Sequence, residues 1–462
     1  MTLTDQRGSE MTTGDQAEVD AFDNALELFL NYERSAGGAV KALLTDHPDT
    51  VMGTVLRGYM LMMLESGGVY PKVDAMVAEI IADDRDTNRR ERLHLDALRH
   101  WANADVLAAA TVWDHILAAD PRDVLALKMH HYTTFWTGRA DVLRSTVEGV
   151  VDTWDPATPG YDHVLGMLAF ALNESGRYQQ AEEIGREAVA ANPEDLWSIH
   201  AVAHALEMQG ANERGDRFFQ VDDDRWDSKN PFLGHIWWHA ALFPWNSGDY
   251  DRVLDLYDNR LRPASTEFYL DIQNLSSLLT RLELSGVDVG DRWGELADHA
   301  AARTGDHVLT FTDVHCALTL ARTDRIEELG AFVESLERHQ QDDGGRTPGL
   351  PIAIQVSRAL AAAAGGDHRT GAELLGAVRG DLAPIGGSHA QRDLFDLLLA
   401  DMTLTAGEVE LALHQLRART RRWPNSVPTW QRYGQALVAA GRSDDAAEAF
   451  ETAATLRGAE AT

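Results

Sequence analysis

The sequence predicts an all-α protein, built of antiparallel helix pairs stacked into a right-handed solenoid. Three observations carry that prediction. Glycines recur on a near-constant grid: Gly138, Gly176, Gly210 and Gly248 lie 38, 34 and 38 residues apart, and Gly407 and Gly441 lie 34 apart. A period in this range marks stacked supersecondary units. The segments flanking each glycine have helical apolar spacing, and no run of alternating β-branched residues argues for a strand. The chain has 462 residues, 44% of them apolar, which is enough for a large core. The repeat joins residues 18–462 into one solenoid instead of several globular domains.

Taken in order, residues 1–17 are polar and have no apolar run flanked by positive charge, so they are expected to form a disordered tail and not a secretory signal. Helix pairs follow at about 50–83, where the repeat is degenerate. Clear repeats occupy about 90–260. In the first of these, Ala109 and Pro121 sit on the grid, but Ala104 stands where the turn glycine belongs. Around Gly176, residues Ala181, Ala188 and Pro193 fall where a second helix packs and stops. Loosely fitting pairs are expected at 266–303, 308–339 and 350–380, within a degenerate stretch 266–380, with a long exposed loop or hinge at 340–351. Residues 391–458 hold the clearest units. There Trp430, Tyr433, Gly434, Leu437, Ala446, Phe450 and Ala453 reproduce the large and small spacing of the tetratricopeptide repeat, and Gly441 ends the first helix.

Charge and composition set further expectations. Lys and Arg number 41 against 73 Asp and Glu, a net charge of -32. Such a field opposes phosphate backbones, so nucleic acid is expected to be excluded as a partner. The longest apolar stretch, residues 59–64, is too short to span a bilayer, so no membrane association is expected. Cys316 is the one cysteine, which permits no internal disulfide and suits a reducing cytoplasm.

In the tetratricopeptide repeat the first helix of each pair lines a concave groove. With the turn residue as position fifteen, the grid aims His94, Lys128, Gly166, His200 and Trp238 inward at position five. Tyr132, Phe170 and His204 follow at position nine, Glu207 at twelve, Glu174 at thirteen, and His163 and His235 at two. His200 and His204 are spaced i, i+4, as are His235 and His239, which puts each pair on one face of its helix. Four imidazoles from adjacent units suit zinc or another divalent transition metal, with Glu207 or Glu174 as a further ligand. His239 falls one position off the groove face, and histidines in helices are commonly hydrogen-bonded structure. Lys128 lies among apolar neighbours, where a lowered pKa would make it a base or nucleophile. An ion pair with Glu174 is the favoured reading. Of the aromatic group Trp136, Trp197, Trp237, Trp238, Phe243 and Trp245, only Trp238 is expected to face a ligand. Gly386-Gly387-Ser388 reads as a helix N-cap able to hold an anion.

The chain resembles the tetratricopeptide repeat protein 38 family. The resemblance is carried by Arg90-Glu91-Arg92-Leu93-His94, Ala126-Leu127-Lys128, residues 197–204 (WSIHAVAH), His235-Ile236-Trp237-Trp238-His239, Arg281-Leu282-Glu283, Asp291-Arg292-Trp293, Asp313-Val314-His315 and Gly386-Gly387-Ser388 with Gln391-Arg392-Asp393. It spans about residues 20–400, with His389 and His130-His131 departing from the family pattern. It implies a curved helical-repeat protein and brings no assigned activity.

Three functions fit this reading. The first is a groove that binds a small molecule or short peptide through His94, Tyr132, Glu174, Trp238 and His239. The second is an enzyme that uses Lys128, His200, His204, Glu207 and His235 for metal-assisted or acid-base chemistry. The third is an adaptor without a site. Fold alone does not choose among them.

Overall fold

A computed structural model describes residues 1–83, 85–220, 225–262 and 268–459. The chain is an all-α helical-repeat solenoid. Among the described residues the only strands are two residues each, Leu3–Thr4 and Glu10–Met11, paired antiparallel. The helices fall into two compact units. One comprises Met1–Val202 with Asp223–Leu233, the other Ala203–Asp222 with Gly234–Thr462. No described helix is long and apolar enough to cross a membrane.

The turn residue is what makes each pair. Helix Tyr161–Glu174 ends where Gly176 takes φ +76°, and Arg177 N–H returns to the Leu172 carbonyl before helix Tyr178–Ala191 begins. Side chains rarely adopt that backbone, whereas glycine does so freely. The last pair, Val427–Ala439 and Ser443–Ala459, turns the same way at Gly441, φ +72°. Gly434 there lies against the Phe450 ring, and Ala446 is buried. The loosely fitting stretches are also helix pairs: Val51–Met62 with Tyr70–Ala82, Tyr269–Leu284 with Gly294–Ala302, Thr310–Arg322 with Ile326–Asp343, and Leu350–Ala364 with His368–Val378. Residues 266–267 of the second of these lie outside the described residues.

Two expectations fail. Residues 1–17 do not form a loose tail. Asp5, Arg7, Ser9 and Met11 are buried, and Asp5 accepts the backbone N–H groups of Arg7 and Ser9. Ser9 Oγ donates to Asp120 at 2.5 Å, Thr12 N–H to Glu91 at 2.7 Å, and Arg90 reaches the Glu10 carbonyl. Asp15 then caps helix Gln16–Leu30. The segment is ordered by charge-assisted hydrogen bonds instead of apolar area, so a count of apolar residues undervalues it. The 340–351 loop is also shorter than expected. Helix Ile326–Asp343 runs through its first residues, Gly344 and Gly345 turn at φ +65° and +81°, and Asp343 accepts from Thr347 before Leu350 starts the next helix.

Deleting residues 1–13 should cost about 3 kcal/mol or more in chemical denaturation, because Arg90 loses Asp5 and the Glu10 carbonyl, Glu91 loses Thr12 and Asp120 loses Ser9. A loss below about 0.5 kcal/mol would show the segment is not packed. Ala104 holds φ +58° at the grid position where glycine is the rule. Ala104→Gly should therefore stabilise the protein by about 0.5–1 kcal/mol in the same assay.

Candidate functional site

In the second unit, polar side chains converge from helices that are buried nearly all round. Helix Leu196–Met208 contributes His204 and Glu207, helix Phe232–Ser247 contributes His235, Trp238 and His239, and helix Tyr269–Leu284 contributes Asp271, Asn274 and Arg281. None of these eight side chains belongs to a residue more than 6% exposed. The expected solvated groove face is therefore interior, and each polar atom must be paired or neutralised there.

The imidazoles meet. His204 and His239 have ring centroids 4.2 Å apart, His235 and His239 4.8 Å apart. One ring nitrogen of each of the three lies within 4.8 Å of the others. His235 donates Nδ1–H to Asn274 Oδ1 at 2.8 Å, and His239 Nδ1 lies 3.2 Å from Glu207 Oε2. The Trp238 indole stacks on His235 at 5.3 Å with a 9° interplanar angle. The Arg281 guanidinium sits 5.5 Å from Trp238 and 5.7 Å from Trp245, bonded to Ser277 and the Ala390 carbonyl. Within this cluster three buried N–H donors have no hydrogen-bond partner among the described residues: Trp238 Nε1, Asn274 Nδ2 and Arg281 Nε.

Burial sets the protonation. It holds His204 and His239 well below the usual imidazole range, with neighbouring cationic forms adding to it, and lowers His235 to about 4 against the opposing Asn274 bond. It raises Glu207 to about 8 and Asp271 to about 7, and lowers Arg281 to about 10 although Asp393 and Glu207 oppose. Asp393 is itself bound at 2.7 and 2.6 Å by Arg419.

His200 stands one turn before His204 on the same helix, in the first unit's part of it. There its ring stacks on Phe170 at 5.1 Å and lies 4.8 Å from Trp197. The other expected site residues of the first unit are buried as well. Lys128 does not reach Glu174. Its Nζ donates to Tyr32 Oη at 2.7 Å and lies 4.4 Å from the Trp197 ring, while burial lowers its pKa to about 8 against the attraction of Asp195. The expected ion pair is thus replaced by an aromatic cage. His94 has both nitrogens engaged, Nδ1 with Tyr59 Oη at 3.0 Å and Nε2 with Asp123 at 2.9 Å, so it is structural and not a ligand-binding residue. Burial opposes ionisation of Asp123, yet Arg90 and then His94 hold it well below the usual carboxylate range. Tyr132 donates to Glu65 at 2.9 Å, and Glu174 is buried. The Ser388 cap exists, but its hydroxyl accepts from Gln391 N–H and Gln391 returns to Ser388 N–H, a closed capping box.

Sequence reasoning missed Asn274 and Asp271 as site residues, and Arg281 entered only through the family resemblance. Their helix fits the repeat loosely, so the glycine grid gave it no register. The legible signal is the polar set Asp271, Gln273, Asn274 and Arg281 in a helix otherwise rich in leucine.

No family model matches the chain. It is similar in fold to the human IFIT1 dimer with m7Gppp-AAAA, at 13% identity over 96% of each chain and a TM-score of 0.37. It is also similar to the human IFIT1 dimer with PPP-AAAA, at 13% identity, 96% of each chain and a TM-score of 0.33. A third similar structure is Naa15/Naa10 bound to HypK-THB, at 13% identity, 96% of this chain, 76% of that chain and a TM-score of 0.26. The expectation that net charge excludes nucleic acid is withdrawn: the similar IFIT1 structures hold m7Gppp-AAAA and PPP-AAAA. Net charge averages over the whole surface, whereas binding answers to the local field.

Glu207 makes stability depend on pH with a defined sign. Its folded pKa of about 8 lies above the ordinary carboxylate value of about 4.3, so the contribution is full below the unfolded pKa and is lost as pH rises through about 8. Between pH 7 and 9, Glu207→Gln should lose about 1 kcal/mol less stability than the parent. Parallel melting curves across that range check this, and identical slopes would place Glu207 in contact with water.

Proposed function

We propose that this chain is a tetratricopeptide-type ligand-binding protein that holds a small molecule in the interior of its second unit. The observation that carries the reading is the set of buried, unpartnered donors, Trp238 Nε1, Asn274 Nδ2 and Arg281 Nε, beside stacked aromatic rings. Each such donor costs about 1–3 kcal/mol when nothing accepts from it, so a scaffold alone has no reason to keep three. Their chemistry calls for a ligand with carbonyl or anionic oxygen acceptors and a flat face to lie on Trp238. Burial favours a small molecule over a peptide, since a peptide needs an open channel for its ends. We further assign the chain to the tetratricopeptide repeat protein 38 family, on the residues quoted above, and to the cytoplasm.

A thermal-shift screen of carboxylates and other oxygen-rich metabolites against the full chain, first dialysed against chelator, tests the reading. A true ligand present at about 100 times its Kd adds roughly 2.7 kcal/mol of stability. Trp238→Phe keeps the ring and deletes one donor, so it should reduce affinity for that ligand about tenfold while the unliganded melting temperature rises or stays level. A hit that binds Trp238→Phe unchanged, or no hit at all, counts against this site.

A further inference from the structure

We propose that His204, His235 and His239, all of the second unit, bind a divalent transition metal of the zinc class. This deepens the ligand-site reading above and rests on it in placing the second unit's polar interior at the centre of function.

Geometry is the first argument. The three ring nitrogens already lie within 4.8 Å of one another. Tetrahedral zinc with nitrogen bonds of 2.0–2.1 Å needs them about 3.4 Å apart, a closing that small rotations of the side chains supply. His235 and His239 lie one turn apart on one helix, which presents both imidazoles on one face, and His204 comes from another helix of the same unit.

The second argument is what stands behind the rings. Metal-bound histidines usually give their other nitrogen to a carboxylate or carbonyl oxygen, which fixes the tautomer and the ring plane. His235 Nδ1 is held by Asn274 Oδ1 and His239 Nδ1 lies beside Glu207 Oε2. A purely structural histidine needs one such bond. Two neighbouring histidines, each beside its own oxygen partner, match that pattern.

The third argument is ligand type. Nitrogen donors suit zinc, copper, nickel and iron, while magnesium and calcium require oxygen cages. The single cysteine, Cys316, is buried on a different helix from the three imidazoles.

The test uses the full chain without an affinity tag of histidines. After purification free of chelator, elemental analysis should find close to one zinc or other transition-metal ion per chain. After dialysis against chelator, cobalt(II) added alone should give the intense visible absorption of a four-coordinate site and saturate at one equivalent. His204→Ala and His239→Ala should each abolish that spectrum, and His414→Ala, on an exposed position, should leave it intact. Asn274→Ala should keep the stoichiometry and weaken affinity about 10- to 100-fold. Where an alanine variant does not fold by circular dichroism, His204→Gln and His239→Asn replace it with the same expected loss. Less than 0.1 equivalent of metal together with no cobalt spectrum overturns the proposal, as does a spectrum that survives both His204 and His239 variants. The metabolite screen is run on chelated protein and read through Trp238, so a failed metal site and a failed small-molecule site give different results.

Discussion

The close approach of two helices across a left-handed turn is the constraint on which this structure depends. Gly138, Gly176, Gly210, Gly248, Gly407 and Gly441 all hold positive φ, and each lets the second helix of a pair fold back at once onto the first. The small residues that follow, such as Ala181, Ala188 and Ala446, are buried where the helices touch. Ala104 shows how strictly the turn is required, since the chain adopts the left-handed backbone there even without glycine.

Stacking such pairs buries several first helices, such as Val124–Trp136 and Tyr269–Leu284, on nearly every side, and that changes what a polar residue on them must do. The chain answers in two ways. Some charges are paired tightly. Arg90 grips Asp123 at 2.6 Å with His94 on the same carboxylate oxygen, Arg419 holds Asp393 through two bonds, and His163 is raised to about 10, burial notwithstanding, by Asp195 and Glu27. Others are neutralised. His204, His235 and His239 lose their protons and Glu207 keeps its own, because desolvation outweighs the attraction of Arg281 for Glu207 and the Asn274 bond to His235. Paired networks hold the fold. Neutral imidazoles and a protonated acid, packed against stacked rings, are instead the form in which a buried group can meet a ligand or a metal.

Lys128 falls between these two answers. It keeps a hydrogen bond to Tyr32 and lies against two aromatic rings, with Asp195 acting at longer range. Cation–π contact offsets part of the desolvation that an ion pair would otherwise have to cover. Glu174, the partner that register suggests, sits one repeat away, but Tyr32 comes from the turn after helix Gln16–Leu30, outside the register altogether.

The sequence by itself determined the fold class, the pairing of helices, the left-handed turns and the inward aim of His204, His235 and Trp238, because each depends on local spacing along the chain. Tertiary structure decided what those residues meet. Asn274 reaches His235 across 39 residues, Glu207 reaches His239 across 32, and Tyr32 reaches Lys128 across 96. Burial, and with it protonation, is a sum over such distant neighbours, so a groove expected to hold water proved to be interior. The N-terminal segment makes the same point in reverse. Its polar residues gave no apolar periodicity to read, and only the buried partners Glu91, Arg90 and Asp120, some 80 to 110 residues away, turn it into ordered structure.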